Sequence, residues 1–318
     1  MIFLLTSALA GATLDVVGLQ RDLTSLAART PGRLGVCVRA EKGIACVHAQ
    51  DGFPLQSVIK LLVGFAVLTE VDANRWHLDE PVTLYPADLS LNVQPVAKLV
   101  SPAGYRTTIG DLVRRAIINS DSAATDVLIA RMGGPAAVRA SLNRHGVGGI
   151  RIDRDERRLQ TEIMGVVWRP EYVDAAILER DIAAVPEQRR NEAFARYRKD
   201  PRDRATPSGM ATFLLRLAQS KLLSKSSTAF LLQAMKECVT FPDRLKAGVP
   251  ADWEMSHKTG TSNTWKGITA ATNDVGIVRT PDGSLISIAA LLADSPASSA
   301  ERAASIAGIS KLVVANYH

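Results

Sequence analysis

Ser57 and Lys60 stand three residues apart in "FPLQSVIKLLVGFAVL" (53–68), a run that is apolar almost throughout but for that lysine. Residues at this spacing share one helix face, and a helix that is apolar on every side packs inside a protein. An ammonium there is costly unless something pairs with it or uses it. A lysine whose pKa is lowered by burial and a cationic neighbour is neutral near pH 7 and accepts the proton of a serine hydroxyl, which becomes a nucleophile. Two further polar clusters accompany the pair. Ser120-Asp121-Ser122 lies at a helix junction in "RRAIINSDSAATDVLI", where Ser-Asp also suits an N-cap. Lys258-Thr259-Gly260, followed by Thr261, ends a strand-like segment with a turn glycine. A lone Ser-x-x-Lys arises by chance on the order of once in a chain this size, so the chemistry rests on the three clusters together.

The elements that must position these groups are legible from periodicity. Residues 17–30 read as a helix, and 33–49 as two strands about a Glu-Lys-Gly turn. Helices are expected over 56–70, 109–118, 122–132, 135–145, 207–221 and 225–238. Strands return from Trp253, and a closing helix spans 298–315. The fold class is therefore α/β of the α+β type. An antiparallel-rich mixed sheet, flanked by terminal helices, carries an inserted all-helical lobe with a cleft between them. The α/β part is expected over 15–54 and 246–318, and the helical part over 55–245. Residues 161–200 interrupt this plan with a charged stretch that reads as one or two surface helices.

Composition limits the partners. The 318 residues carry a net charge of +6, but the basic residues are scattered and aromatics reach only 5%. That excludes a basic, aromatic-interleaved nucleic-acid surface and leaves one tolerant of small anions. "MIFLLTSALAGA" reads as a shortened secretory leader over 1–14, the alternative being a plain N-terminal helix. No later run is long enough to span a membrane. The protein is thus expected to be exported and periplasmic or secreted, without a stable membrane anchor, and monomeric. Cys37 and Cys46 flank the expected hairpin turn, where a disulfide and two packed thiols are both consistent, and Cys238 reads as core. No Cys/His spacing suits a metal, and no cofactor is expected.

In this order, the three clusters resemble the signature of class A β-lactamases and penicillin-binding proteins. The resemblance covers about 17–318 without 161–200, and includes "FPLQSVIK", "IGDLVRRAIINSDSAATDVLI", "GGPAAVRASLNRHG", "RATPSGMA" and "NDVGIV". "DRDERRLQ" (153–160) resembles the Ω-loop segment of class A enzymes, with Arg154, Glu156 and Leu159 matching and Glu156 36 residues beyond Ser120. Asp203 matches the far end of that loop, where the family pairs it with the arginine equivalent to Arg154. The resemblance implies a β-lactam substrate attacked by Ser57, with Lys60 or Glu156 as acylation base and Ser120 as proton relay, tuned by Lys258. It implies Glu156 as activator of the deacylating water, and Ser57 and Thr261 main-chain N–H groups as the oxyanion hole. Lys258, Thr259, Thr261 and Arg244 are the implied partners of the substrate carboxylate, with Gly260 between them.

The chain also departs from the family. Ser122 and Gln160 replace asparagines that bind the substrate side chain and hold the deacylating water. The cysteines of the family's usual helix disulfide are missing at Gly64 and Val113. The insertion follows directly after Glu156 and Gln160, so it either leaves the loop base intact, unseats the glutamate or covers the cleft. Three functions fit the residues: a β-lactamase, a D,D-peptidase or esterase that β-lactams acylate and seldom leave, and a non-catalytic sensor.

Overall fold

A computed structural model describes residues 13–318. The leader read over 1–14 lies outside the described residues except for its last two. Those two belong to the fold: Thr13 exchanges main-chain hydrogen bonds with His318, and Leu14 bridges Tyr317.

Helix α1 (Val16–Arg29) precedes a hairpin of β1 (Arg33–Ala40) and β2 (Gly43–Val47). Three long strands close the chain: β3 (Glu254–Thr261), β4 (Ile268–Arg279) and β5 (Leu285–Ser295), followed by the last helix (Ser299–Ala315). They form a sheet in the order β2-β1-β5-β4-β3, in which every pairing is antiparallel. β4 and β5 are buried along nearly their whole length, because α1 and the last helix cover one face and the helical lobe covers the other. This two-sided burial is why β5 reads as a nearly continuous apolar run, LISIAALLA, rather than an alternating one.

In the helical lobe α2 (Ile59–Asp72) is buried from Ile59 through Thr69, as its all-round apolar sequence requires. Around it lie α3 (Ile109–Ile118), α4 (Ser122–Arg131) and α5 (Pro135–Arg144). Gly64 of α2 faces Val113 of α3, where a Cβ on the glycine would sit 3.4 Å from Val113 Cγ1. The two positions are adjacent as the family's staple requires, but packing alone joins them. In the sheet Cys37 and Cys46 are directly opposed and form a disulfide, which settles the choice left open by the sequence.

The stretch after the candidate glutamate folds as α6 (Glu156–Ile163), α7 (Ala175–Ala183) and α8 (Glu187–Lys199), so the insertion contains two helices. It wraps α6 from both sides through two small cores. Leu159 and Ile163 meet Phe194, Tyr197 and Ala270 on one side. Tyr172 and Leu178 meet Leu91 on the other, with Arg157 stacked on Trp168. A short sheet escaped the periodicity because its strands have two residues each: Phe53–Pro54 pairs Arg204–Ala205, which pairs Ile150–Arg151. It ties both ends of the loop to the segment leading into Ser57. Chain then returns through α9 (Pro207–Ala218) and α10 (Lys225–Lys236).

Candidate active site

Ser57 sits in a single 3-10 turn (Gln56–Val58) that runs straight into α2, which places Lys60 in the first turn of the helix. The turn is pinned from two directions. Asn273 of β4 donates to the carbonyls of Pro54 (2.7 Å) and Leu55 (3.1 Å), and Leu55 N–H donates to Asp203 O at 2.9 Å. Lys60 Nζ donates to Ser57 Oγ at 2.9 Å and to Glu156 Oε1 at 2.5 Å. Lys60 and Glu156 are 1% and 2% exposed, so one buried ammonium links the two oxygen-bearing groups with little solvent screening.

Ser120 holds a left-handed backbone, φ +59°, a conformation that non-glycine residues keep where structure over-determines it. The capping role that Ser-Asp suggests falls to Asp121, whose carboxylate accepts Ala124 N–H (2.9 Å) and Val96 N–H (2.7 Å). Ser120 is thereby free to accept a hydrogen bond from Lys258 Nζ at 3.1 Å. Lys258 is fully buried, and burial pulls its ammonium down to about 8, with Lys60 acting in the same direction.

Gly260 is set by space. A Cβ there would lie 2.6 Å from Leu55 O and 3.1 Å from Ser57 N, so strand β3 approaches the serine turn as closely as backbone allows. Thr259 Oγ1 contacts Thr240 Oγ1 at 2.6 Å, and Thr240 in turn contacts Cys238 Sγ, which puts this buried thiol just behind the motif. Arg244 lies over the Phe241 ring and donates to Thr261 Oγ1 (2.7 Å) and Asn273 O (2.9 Å). Burial lowers its guanidinium to about 10, still charged at neutral pH. Ser122 opens α4, buried, with its N–H bonded to Val93 O.

Glu156 is the first residue of α6, and Asp155 caps the helix by accepting Arg158 N–H. Gln160, one turn on, donates to Glu156 Oε2 at 3.3 Å. The loop base is closed by Arg154 and Asp203, both buried and bonded at 2.6 Å.

Four residues of this site were not singled out in the sequence. Asp126, one turn beyond Ser122 on α4, accepts Glu156 N–H at 2.8 Å and Ser90 Oγ at 2.6 Å. Burial, helped by Asp155 and Glu156, pushes its carboxyl up to about 7. Its helical spacing from Ser122 was the available signal. Arg157 anchors α6 to the carbonyls of Ala87 and Leu89. Gln56 and Tyr197 join through their side chains, and Gln56 also accepts from Gln160 at 3.1 Å. Tyr197 comes from the insertion, whose sequence carries no motif.

A serine and a lysine on one buried turn, a second serine–lysine pair opposite, and a carboxylate shared with the first lysine define a serine hydrolase of the class A β-lactamase type. Comparison with known proteins agrees, and residues 18–317 match the model of the beta-lactamase enzyme family, to which the chain belongs. Its sequence is 29% identical over 284 residues to the β-lactamase VEB-1 of Pseudomonas aeruginosa, covering 88% of this chain and 84% of that one. A β-lactamase structure from Chitinophaga pinensis superposes with a TM-score of 0.75 at 30% identity, covering 92% of this chain and 97% of its own. A class A β-lactamase from Bacteroides cellulosilyticus gives 0.76 at 26% identity, covering 96% and 98%. The protein is a hydrolase acting on β-lactam amides.

Proposed function

We propose that Ser57 carries the reaction through an acyl-enzyme that a Glu156-activated water releases, with penicillins and cephalosporins as substrates and carbapenems within reach. The observation that carries this reading is the Lys60 ammonium, bonded at once to Ser57 Oγ and Glu156 Oε1. Passage of one Nζ proton to Glu156 leaves a neutral amine that accepts the serine proton, the alternative being Glu156 as base through a water. Ser57 Oγ attacks the lactam carbonyl, the C–N bond breaks, and Ser120 passes a proton to the departing nitrogen. The N–H groups of Ser57 and Thr261 stabilise the oxyanion. Lys258, Thr259, Thr261 and the Arg244 cation receive the substrate carboxylate, with Gly260 keeping that strand close to the serine. Ser122 and Gln160 complete the substrate side, the shorter Ser122 hydroxyl reaching less far than an amide. Glu156 then takes a proton from water, the hydroxide adds to the ester, and the C–O bond breaks as Ser57 Oγ regains a proton from Glu156 by way of Lys60.

The disulfide and the leader-like first residues support export, and the chain acts as one catalytic domain, residues 15–318. Intact-mass measurement with a penicillin tests the mechanism. Wild type is expected to show a transient adduct and full product release, while Glu156→Gln holds the adduct, its release slowed about 100- to 10,000-fold. No adduct on either protein would remove Ser57 from the nucleophile's role, and equal release would remove Glu156 from the base's.

A further inference from the structure

We infer that Tyr197, on inserted helix α8, is a positioning residue for hydrolysis of the acyl-enzyme: its hydroxyl fixes the Gln56 amide, which fixes Gln160 beside Glu156. The inference rests on the assignment of Glu156 as deacylation base. The polarity of the chain follows from that carboxylate. An ionised glutamate only accepts, so Gln160 must turn its NH2 group to Glu156 Oε2, at 3.3 Å. The other hydrogen of the same NH2 group meets Gln56 Oε1 at 3.1 Å. Gln56 must then present its own NH2 group outward, where the Tyr197 hydroxyl accepts from it. The Gln160 oxygen stays available as an acceptor for the attacking water.

The arrangement addresses the longer arm at position 160. A glutamine has one more rotatable bond than the family's asparagine, and holding it still costs side-chain entropy. Gln56 and Tyr197 supply the restraint from positions 141 residues apart in the sequence. The tyrosine is itself immobilised, buried against Leu159, Ile163, Phe194 and Ala270. Helix α8 is moored at both ends, by Trp265 Nε1 donating to Asn191 Oδ1 (2.9 Å) and Arg198 Nε donating to Asp294 Oδ1 (2.6 Å). Burial also raises the Tyr197 phenol above its ordinary value, so the hydroxyl stays protonated throughout the working range. The insertion therefore contributes to turnover from beneath α6.

Single-turnover kinetics on Tyr197→Phe, with Phe194→Leu as a packing control, separate this role from a structural one. Tyr197→Phe keeps the ring and is expected to slow deacylation about 10- to 100-fold. Acylation should stay within about 2-fold, so the adduct accumulates and KM falls together with kcat. Phe194→Leu loosens the same core without touching the hydrogen bonds, and should leave the ratio of the two rates unchanged. An unchanged ratio in Tyr197→Phe, or an equal shift in Phe194→Leu, overturns the inference while leaving Glu156 in place. A wild type that is acylated and never releases product removes the Glu156 assignment, and this inference with it.

Discussion

Arg154 and Asp203 are 49 residues apart in the chain, yet Arg154 Nε donates to Asp203 Oδ2 at 2.6 Å. Asp203 Oδ1 also accepts the main-chain N–H groups of Asp153 (2.7 Å) and Arg154 (3.0 Å). One carboxylate thus closes the loop through side chain and backbone together. The insertion leaves this base intact, and Glu156 remains bonded to Lys60.

Asp203→Asn removes the charge that faces a buried guanidinium, leaving Arg154 with Glu162 and Asp200. Breaking a buried pair from one side costs about 3 kcal/mol. Urea unfolding should show that loss as a lower midpoint with unchanged slope, accompanied by slower product release. A loss below about 1 kcal/mol would mean that Glu162 and Asp200 suffice to hold the loop.

Asp126 gives a pH dependence of stability. Its carboxyl is raised to about 7 in the fold and returns to its ordinary, lower range when unfolded. Between about 4 and 7 the native state therefore holds the extra proton, and stability falls as pH rises through this window. Asp126→Asn cannot ionise and keeps an oxygen for Glu156 N–H. The melting temperature of the variant relative to wild type should climb from pH 4 to pH 7 and then level off. A constant offset across that range would show that the carboxyl does not titrate there.

Lys258 gives a pH dependence of activity. Its ammonium titrates near 8 rather than 10.5, so the cation is present below that value and lost above it. For a substrate carrying a carboxylate, kcat/KM should decline with rising pH from about 8, tenfold per unit at the limit. Lys258→Arg retains its charge, and its alkaline limb should move upward by at least a unit. Superimposable limbs in the two proteins would assign the ionisation to another group.

The site was legible where chemistry imposes a local spacing. Ser57 and Lys60 are joined by one helical turn, and Gly260 by the close approach of two backbones, so each leaves a short pattern in the sequence. The helices followed from periodicity within a few residues, and the two-helix insertion from its amphipathic patches. Gln56 and Tyr197 were not singled out because their partners lie 104 and 141 residues away, and contacts at that range leave no periodic trace. β4 also begins at Ile268, before the NDVGIV segment, over residues whose mixed Thr and Ala sequence carries no strong apolar signal.

The closed loop base also bears on how such an insertion is tolerated. Joining two ends that a carboxylate and a small sheet already hold together makes the closure nearly independent of what lies between them. Each doubling of the intervening chain adds only about 0.6 kcal/mol of closure entropy. The base therefore acts as a socket, able to accept excursions of very different length without disturbing the scaffold. A graft at this point starts as a passenger, and one buried hydroxyl reaching back to the serine turn is enough to make it part of the engine.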